Sequence, residues 1–503
     1  MSILIRDAHV LTMDEQDTEH PRADILIEGS KVAAIGPDLE VPGGTSDLRM
    51  VEAGGLLALP GLINGHLHSP GNFLKGAVDD LPLEIFMLYE IPPFADRLPP
   101  TRLTYVRTML GAVEMLKLGI TSVLDDPFYL PAPSAECIDA LMQAYADSGM
   151  RATASLDQMN VVEYERQPFL AGLLTEELRA EMDKTPFLPP AELLRHYDHL
   201  IDRWHGACEG RLGAAVSCSA PQRVTPDYFA SLSELSRKHD IPFIVHILES
   251  KLQRVFGEDR YGKSLVRYVS DLGLLDERME VVHAIWVDDQ DMDLLAESGC
   301  TVAHNPVCNL KIGSGIMPFR QLRDRGVPIC LGSDEASVDD SANLWTVAKV
   351  AGILHKISDP EYRNWPTAPE ILNCVFDGGA RAMRLKGRIG ALAPGHEADI
   401  VLLDLNSIAF TPLNDIRRQL VFCENGSSVV MTIVAGRVVV EQGRLLTVDE
   451  EAIKAEVREF SACNREEIDR SREAAERLDP YYREMYLRGA NRDVGMNRWA
   501  TSD

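Results

Sequence analysis

The chain lacks an apolar stretch long enough to span a bilayer, a paired cysteine motif and any surplus of positive charge. Each absence removes a class of function. Nine cysteines, an odd number, are scattered through 503 residues without one C-x-x-C pair. That argues against a disulfide framework and a cysteine-based zinc knuckle, and it marks them as buried thiols. The 77 acidic residues outnumber the 50 basic ones, for a formal charge of −27. Bulk electrostatics therefore oppose nucleic-acid backbones and anionic membranes, whereas a small neutral or cationic substrate is easier to admit. The N-terminal MSILIRDAHVLTMDE has no basic region followed by a long apolar core, so no signal peptide is expected and the cytoplasm is the expected compartment.

A hydrophobic content of 45% with 25% charged residues is that of a globular protein, and the length suits one large barrel with a small appendage. Short apolar runs alternate with helix-like stretches, the pattern of βα units around a parallel sheet. The strand candidates are residues 56–66, 120–126, 151–156, 211–220, 241–247, 279–285, 301–306 and 327–334. Segments such as RLTYVRTMLGAVEMLKLG and SANLWTVAKVAGILHKI repeat apolar side chains at three- and four-residue spacing and read as the intervening helices. Eight repeats predict a (β/α)₈ TIM barrel over residues 59–387.

Two segments fall outside that barrel. Residues 1–58 and 388–447 alternate as half-buried strands punctuated by glycine, which predicts a small composite β-sandwich formed by the two chain ends, with the barrel inserted in it. Residues 448–503 read as a helical extension with Ile453, Val457, Phe460 and Ile468 near one face, followed by a tail holding Tyr481, Tyr482, Tyr486 and Trp499. It is expected either to dock on its own chain or to make a dimer contact, and a homo-oligomer, dimer or tetramer, is expected. Residues 157–205 form a long insertion that would lie at the C-terminal mouth of the barrel, where such segments make lids.

His66-Leu-His68 closes the first apolar run. Two imidazoles two residues apart on an extended segment point to the same side and can reach one metal ion, although alone the pair also fits two hydrogen-bonded polar histidines. His246 ends IPFIVH, His283 ends MEVVH and Asp334 ends VPICLGSD. Five metal-competent side chains at the C-terminal ends of four strands predict a single metal site where barrel enzymes collect their reacting groups. Elsewhere, His304, Asn305, Asp125 and Asp126 read as turn or cap residues, and His196, His199 and His205 as surface polarity. Phe86, Met87 and Tyr89 offer a wall for a flat ring or simply a packed helix.

PGLINGHLHSPGNFLKG, HILES, VVHAIWVDD, AHNPVCNLKIGSG, GSDEASVDDSANLW and GALAPGHEADIVLLDL resemble the successive signatures of the amidohydrolase superfamily. Within it, the branch of nucleoside and guanine deaminases and s-triazine hydrolases is the most similar. The resemblance implies His66, His68, His246 and Asp334 as ligands of one Zn²⁺ or Fe²⁺, with His283 close to the water that the metal activates. A divalent metal can lower the pKa of water from ~15.7 towards ~7, so that hydroxide becomes available at neutral pH. The catalytic set expected is then Glu249, His283 and Asp334. Asp334 would accept a proton during attack, and Glu249, three residues after His246, would pass one to a ring nitrogen and then to the leaving group.

RLGAAVSCSA on the fourth strand contains no lysine, whereas two-metal members carry a carboxylated lysine there; this implies a mononuclear site. After that strand many nucleoside-directed members carry Gly-Pro-His. Here Ser219 stands where that histidine would be, and Ala95 where some relatives place a carboxylate for ribose, which argues against an adenosine-type substrate. Phe86, Ser219, Arg223 and Glu249 are the expected substrate contacts, with Arg223 and Gln222 facing a carbonyl or carboxylate. The expected activity is deamination of an amino-substituted nitrogen heterocycle. Displacement of chloride or alkylamine from a triazine-like ring, cleavage of an amide or urea, and a catalytically silent scaffold of the same fold are the alternatives.

Overall fold

The computed structural model describes residues 2–40, 48–90, 100–129, 132–185 and 187–500, apart from the side chains of residues 466–468 and 471. Ala95, and the side chain of Ile468, lie outside the described residues. The barrel strands are β1 (Leu62–His68), β2 (Ile120–Asp125), β3 (Arg151–Ala154), β4 (Leu212–Ala214 and Val216–Ser217), β5 (Phe243–Ile247), β6 (Met279–His283), β7 (Thr301–His304) and β8 (Ile329–Leu331 and Asp334–Glu335). All neighbouring pairs are parallel. The first half of β4 pairs with β3 and its second half with β5, while β8 pairs first with β7 and then, through Asp334 opposite Leu67, with β1. That last pairing closes the ring as a (β/α)₈ barrel. These strands are apolar almost throughout because helices cover their outer faces and side-chain layers fill the interior. Helix Thr101–Lys117 shows the complementary pattern, burying Leu103, Val106, Met109, Val113 and Leu116 along one stripe.

The two chain ends share one nine-stranded sheet in which Leu56–Pro60 lies between Ser2–Leu11 and Ile400–Asp404. Side chains alternate between two cores. Ala58, Ile400, Leu402, Ile433 and Val438 face the sheet's own core, whereas Leu57, Leu59, Val401, Leu403, Val434 and Val439 join the barrel core. Each such leucine removed from water contributes about 1.5–3 kcal/mol. The single apolar run expected at 56–66 is therefore two strands, divided at Gly61. A Cβ there would stand 2.1 Å from the Thr121 side chain, so only glycine lets the chain pass from the sheet into β1 beside β2. Five of the other strands end one to three residues earlier than their apolar runs, whereas β5 ends at Ile247 as expected and β8 runs one residue further, to Glu335; at several strand ends the backbone turns left-handed, as at Ala284 (φ 46°).

The 157–205 insertion has two parts. Helix Pro190–Trp204 packs against β4 on the barrel wall, burying Leu193, Tyr197 and Leu200. The part before it carries short helices Leu170–Leu173 and Glu176–Met182 over the mouth. There they meet helix Leu83–Glu90 and the long helix Arg465–Ala490, in an apolar cluster that includes Ile85, Leu88, Leu174, Leu478 and Met485. The C-terminal extension thus docks on its own chain, and its tail is fixed by Trp499, whose indole N–H donates to the Gly313 carbonyl at 2.9 Å.

Candidate active site and metal centre

β1 is buried along its whole length, and its two-residue period turns His66 and His68 to the same side. β8 approaches them closely because Gly332 has no side chain; a Cβ there would lie 2.7 Å from that of His66. Asp334, His283 and Ser219 all adopt left-handed backbone, with φ of 61°, 75° and 64°. For residues other than glycine this costs energy, and it aims the side chains inward at the strand ends.

The Nε2 atoms of His66, His68 and His246 form a triangle with every edge 3.2 Å. The Nδ1–H of His68 donates to the Asp126 carbonyl at 2.5 Å, and that of His246 to the Ser219 carbonyl at 2.8 Å. These bonds leave both Nε2 lone pairs directed at the triangle's centre. No arrangement of protons lets three mutually facing nitrogens satisfy one another, whereas one cation satisfies all three. Tetrahedral ligands at ~2.0–2.1 Å stand about 3.3 Å apart, so the cluster fits a divalent metal such as zinc. Burial, then mutual repulsion among the rings, holds His66 and His246 well below the usual imidazole range, and neutral imidazole is the form that ligates. Burial also opposes a charged His68, but Asp334 and Asp126 together raise it.

Asp334 Oδ1 lies 3.5 Å from His68 Nε2 and 3.8 Å from His66 Nε2. Its Oδ2 accepts a hydrogen bond from Asn305 at 3.1 Å and faces His283 Nε2 at 3.6 Å. His283 is oriented from behind by Asn309, whose Oδ1 lies 2.9 Å from Nδ1, and its Nε2 stands 3.5 Å from Glu249 Oε2. The Glu249 carboxyl is pushed well above the usual range by burial, then by Asp334 and Glu84, with Arg223 opposing. Burial thus favours its neutral, proton-bearing form beside an acceptor imidazole.

These groups open into a cavity with about 560 Å³ of space between atoms, part of it open to solvent. Phe86, Ser219, Arg223 and Glu249 all line it, with Met87 beside Phe86. Tyr89 instead packs towards the C-terminal helix, and Gln222 lies off the cavity. Leu83, Phe128, Asp157, Met159, Cys308, Ile312, Glu335 and Val338 complete the wall. Phe128, Asp157 and Met159 are marked by no motif, but each follows a strand end by a few residues, and that position is their only signal. Asp125 and Asp126 do more than cap a turn. Asp125 accepts from the Ser69 backbone at 2.9 Å and from the Tyr145 hydroxyl at 2.8 Å, and Asp126 accepts from Ser155 and Ser217; together they brace the end of β1 that carries His68. Asn305 likewise steadies Asp334 rather than a turn, and His304 pairs with His355 at 3.0 Å. His196 and His199 bond to Gln158 and Asp139, and His205 accepts from the Ala214 backbone. Among the described residues, only His66, His68 and His246 form a metal-competent cluster.

A parallel (β/α)₈ barrel with three converging imidazoles and an acid–base chain at its C-terminal mouth is the layout of a metal-dependent hydrolase. A sequence model of the amidohydrolase family matches residues 57–439, and the chain belongs to that family. It is 31% identical over 458 residues to the 5-methylthioadenosine/S-adenosylhomocysteine deaminase of Carboxydothermus hydrogenoformans, spanning 91% of this chain and 96% of that protein. It is 29% identical over 451 residues to the 5'-deoxyadenosine deaminase of Methanosarcina mazei, spanning 90% and 95% of the two chains. Among solved structures it is similar to the zinc complex of atrazine chlorohydrolase TrzN from Arthrobacter aurescens TC1. That likeness has a TM-score of 0.79 and 25% identity, and it covers 90% of this chain and 99% of the other.

Proposed function

We propose that the chain hydrolytically deaminates an amino-substituted nitrogen heterocycle, with zinc held by His66, His68, His246 and Asp334. The observation that carries this reading is the row Glu249, His283, Asp334 running from a buried carboxyl to the 3.2 Å histidine triangle beside one cavity. Bound there, the cation would acidify water and supply hydroxide near neutral pH. The names of the curated relatives support deamination, and the zinc complex of TrzN supports zinc over iron.

The chain's own groups divide the proton work. Phe86 and Met87 hold the flat ring, and His283 fixes the attacking oxygen between itself and Asp334. Asp334 takes one proton from water and passes it to the amino group, which leaves as ammonia. Glu249 gives its proton to the adjacent ring nitrogen as the carbon–oxygen bond forms, and it recovers one from the carbon-bound hydroxyl as the carbon–nitrogen bond breaks and the carbonyl forms. A second reading keeps these residues but expels chloride or alkylamine from a triazine-like ring; the likeness to TrzN favours it.

The test is ammonia release by zinc-reconstituted protein across aminopurines, aminopyrimidines, pterins and aminotriazines, with 5'-deoxyadenosine and 5'-methylthioadenosine included. Exchange of an amino for an oxo group in the product is the expected result. Chloride or alkylamine release without ammonia transfers the assignment to the second reading, and inertness of fully metal-loaded protein towards the whole panel overturns both.

A further inference from the structure

Helix Arg465–Ala490 begins after the family-matched region has ended at residue 439, yet it reaches the catalytic mouth. Tyr482 on this helix is 1% exposed, and its hydroxyl, with Glu163 as its polar neighbour, makes no hydrogen bond of good geometry. It faces a second cavity, with about 340 Å³ of space between atoms, that adjoins the catalytic one; Met87, Met159 and Arg223 line both. Burial and the neighbouring Glu163 hold the Tyr482 phenol well above its ordinary range, so it stays a hydroxyl donor.

Arg223 stands where the two cavities meet. Its side chain donates to Ser219 Oγ at 2.7 Å, and among the described residues no carboxylate comes within the 4.0 Å of an ion pair. The nearby Arg166 differs, because Glu163 accepts from its Nε at 2.6 Å and also from Gln167 at 3.2 Å. Asp157, with Oδ1 unpartnered, lies on the catalytic side. Arg223 is surrounded by protein, so that burial pulls its pKa down, yet it keeps surface open to the cavity. Asp157, Glu163 and Glu249 act on its charge only from beyond contact, so a ligand oxygen would supply the direct charged acceptor that this guanidinium lacks. Met87, Leu88 and Met159 form the apolar part of the remaining wall and suit a short aliphatic link, while Glu163, Arg166 and Gln167, bonded to one another, form its polar part.

We propose that the C-terminal helix completes a second substrate subsite, in which Arg223 and Tyr482 receive a carboxylate-terminated arm carried by the heterocycle. The inference rests on the catalytic cavity being the ring site proposed above. It makes Tyr482 a specificity-determining residue contributed by the extension rather than by the family-matched region.

The test uses the full-length, zinc-loaded chain and two near-isosteric pairs: 9-(carboxymethyl)adenine against 9-(carbamoylmethyl)adenine, and a diaminotriazine bearing N-carboxymethyl against N-carbamoylmethyl. Binding is read by calorimetry and ammonia release is read separately. In at least one pair the acid is expected to bind roughly ten- to hundredfold tighter than the amide, the scale of a charge-assisted hydrogen bond. Arg223→Met should abolish that preference and Arg223→Lys should keep part of it. Tyr482→Phe should weaken the acid several-fold and the amide less, because the amide carbonyl accepts from the same hydroxyl without charge assistance, with thermal melts checking that each variant is folded. Equal binding of acid and amide, no binding of either, or a preference that survives both Arg223→Met and Tyr482→Phe overturns the subsite. Ammonia release without acid preference refutes the subsite and keeps the deaminase reading, whereas acid preference without ammonia release does the reverse.

Discussion

Replacing Glu249 with glutamine isolates proton transfer from everything else in the site. The side chain is 5% exposed and takes no part in the histidine triangle, so metal content should stay at one equivalent. Burial and Asp334 favour the neutral carboxyl, and Gln is close in shape to that neutral acid; it still offers a donor to the ring nitrogen, and KM should move little. What it loses is a transferable proton on the carboxyl whose Oε2 lies 3.5 Å from His283 Nε2. General acid catalysis is worth on the order of 10² to 10⁴ in rate, so kcat should fall by that factor, about 3–5 kcal/mol in barrel-bound transition-state stabilisation. Because the acid form is the active one, the wild-type rate should also decline as pH rises through the raised Glu249 pKa, and that alkaline limb should vanish in the residual activity of Glu249→Gln. The assay is steady-state ammonia release on whichever substrate the panel identifies, beside metal analysis of the same preparation. A fully metallated variant with near-normal kcat would remove Glu249 from the mechanism.

His246→Ala should leave the purified protein without a stable equivalent of metal, since two imidazoles cannot close the site; a full equivalent by elemental analysis sinks its assignment as a ligand. Arg151 is 1% exposed and joins β3 to the terminal sheet through Asp399, at 2.7 and 3.2 Å, and Glu397, at 3.3 Å. Arg151→Met leaves the buried Asp399 without its cation, while Glu397 keeps Lys31 at 2.6 Å and Arg388 at 3.3 Å; the change should cost about 3–5 kcal/mol in denaturant titration, whereas a loss under ~1 kcal/mol would show that solvent reaches Asp399. Burial pushes His355 down to about 4, so from pH ~6.5 down to 4 the unfolded chain binds the proton that the folded ring refuses. That contribution is fully present above pH ~6.5 and is lost on acidification, up to about 3 kcal/mol. The melting temperature should therefore fall less between pH 7 and 4.5 in His355→Gln than in wild type, and parallel curves would refute the shift.

The histidines and Asp334 stood out in the sequence because a barrel strand is a continuous apolar run, so a polar residue at its end interrupts a pattern. The Pro60-Gly61 break did not, because both strands it separates are equally apolar and only the contact with Thr121 requires the glycine. Asp157 and Phe128 carry no periodicity, since loop residues are placed by the strands they follow. Tyr482 was the hardest to read. Its helix looks like any amphipathic extension, and what brings it to the mouth is an apolar cluster with residues some 300 to 400 positions earlier, among them Leu88 and Leu178. Long-range packing of that kind leaves no local signature in either segment.

The overall charge gives the proposed subsite a kinetic signature of its own. With a formal charge of −27, the chain repels an anionic substrate at long range, and that repulsion is screened beyond a Debye length of about 8 Å at physiological salt. Arg223 acts only at contact, inside a cavity where salt screens weakly. Steering and recognition therefore have opposite signs for the same ligand. For the carboxymethyl compounds, kcat/KM should rise as ionic strength is raised from about 10 to 150 mM, because encounter becomes less unfavourable while the Arg223 contact persists. For the carbamoylmethyl partners it should stay flat. A fall with salt for the acids would mean that an exposed basic surface gathers them before the cavity does, and selection by an enclosed guanidinium would then be the wrong account of the preference.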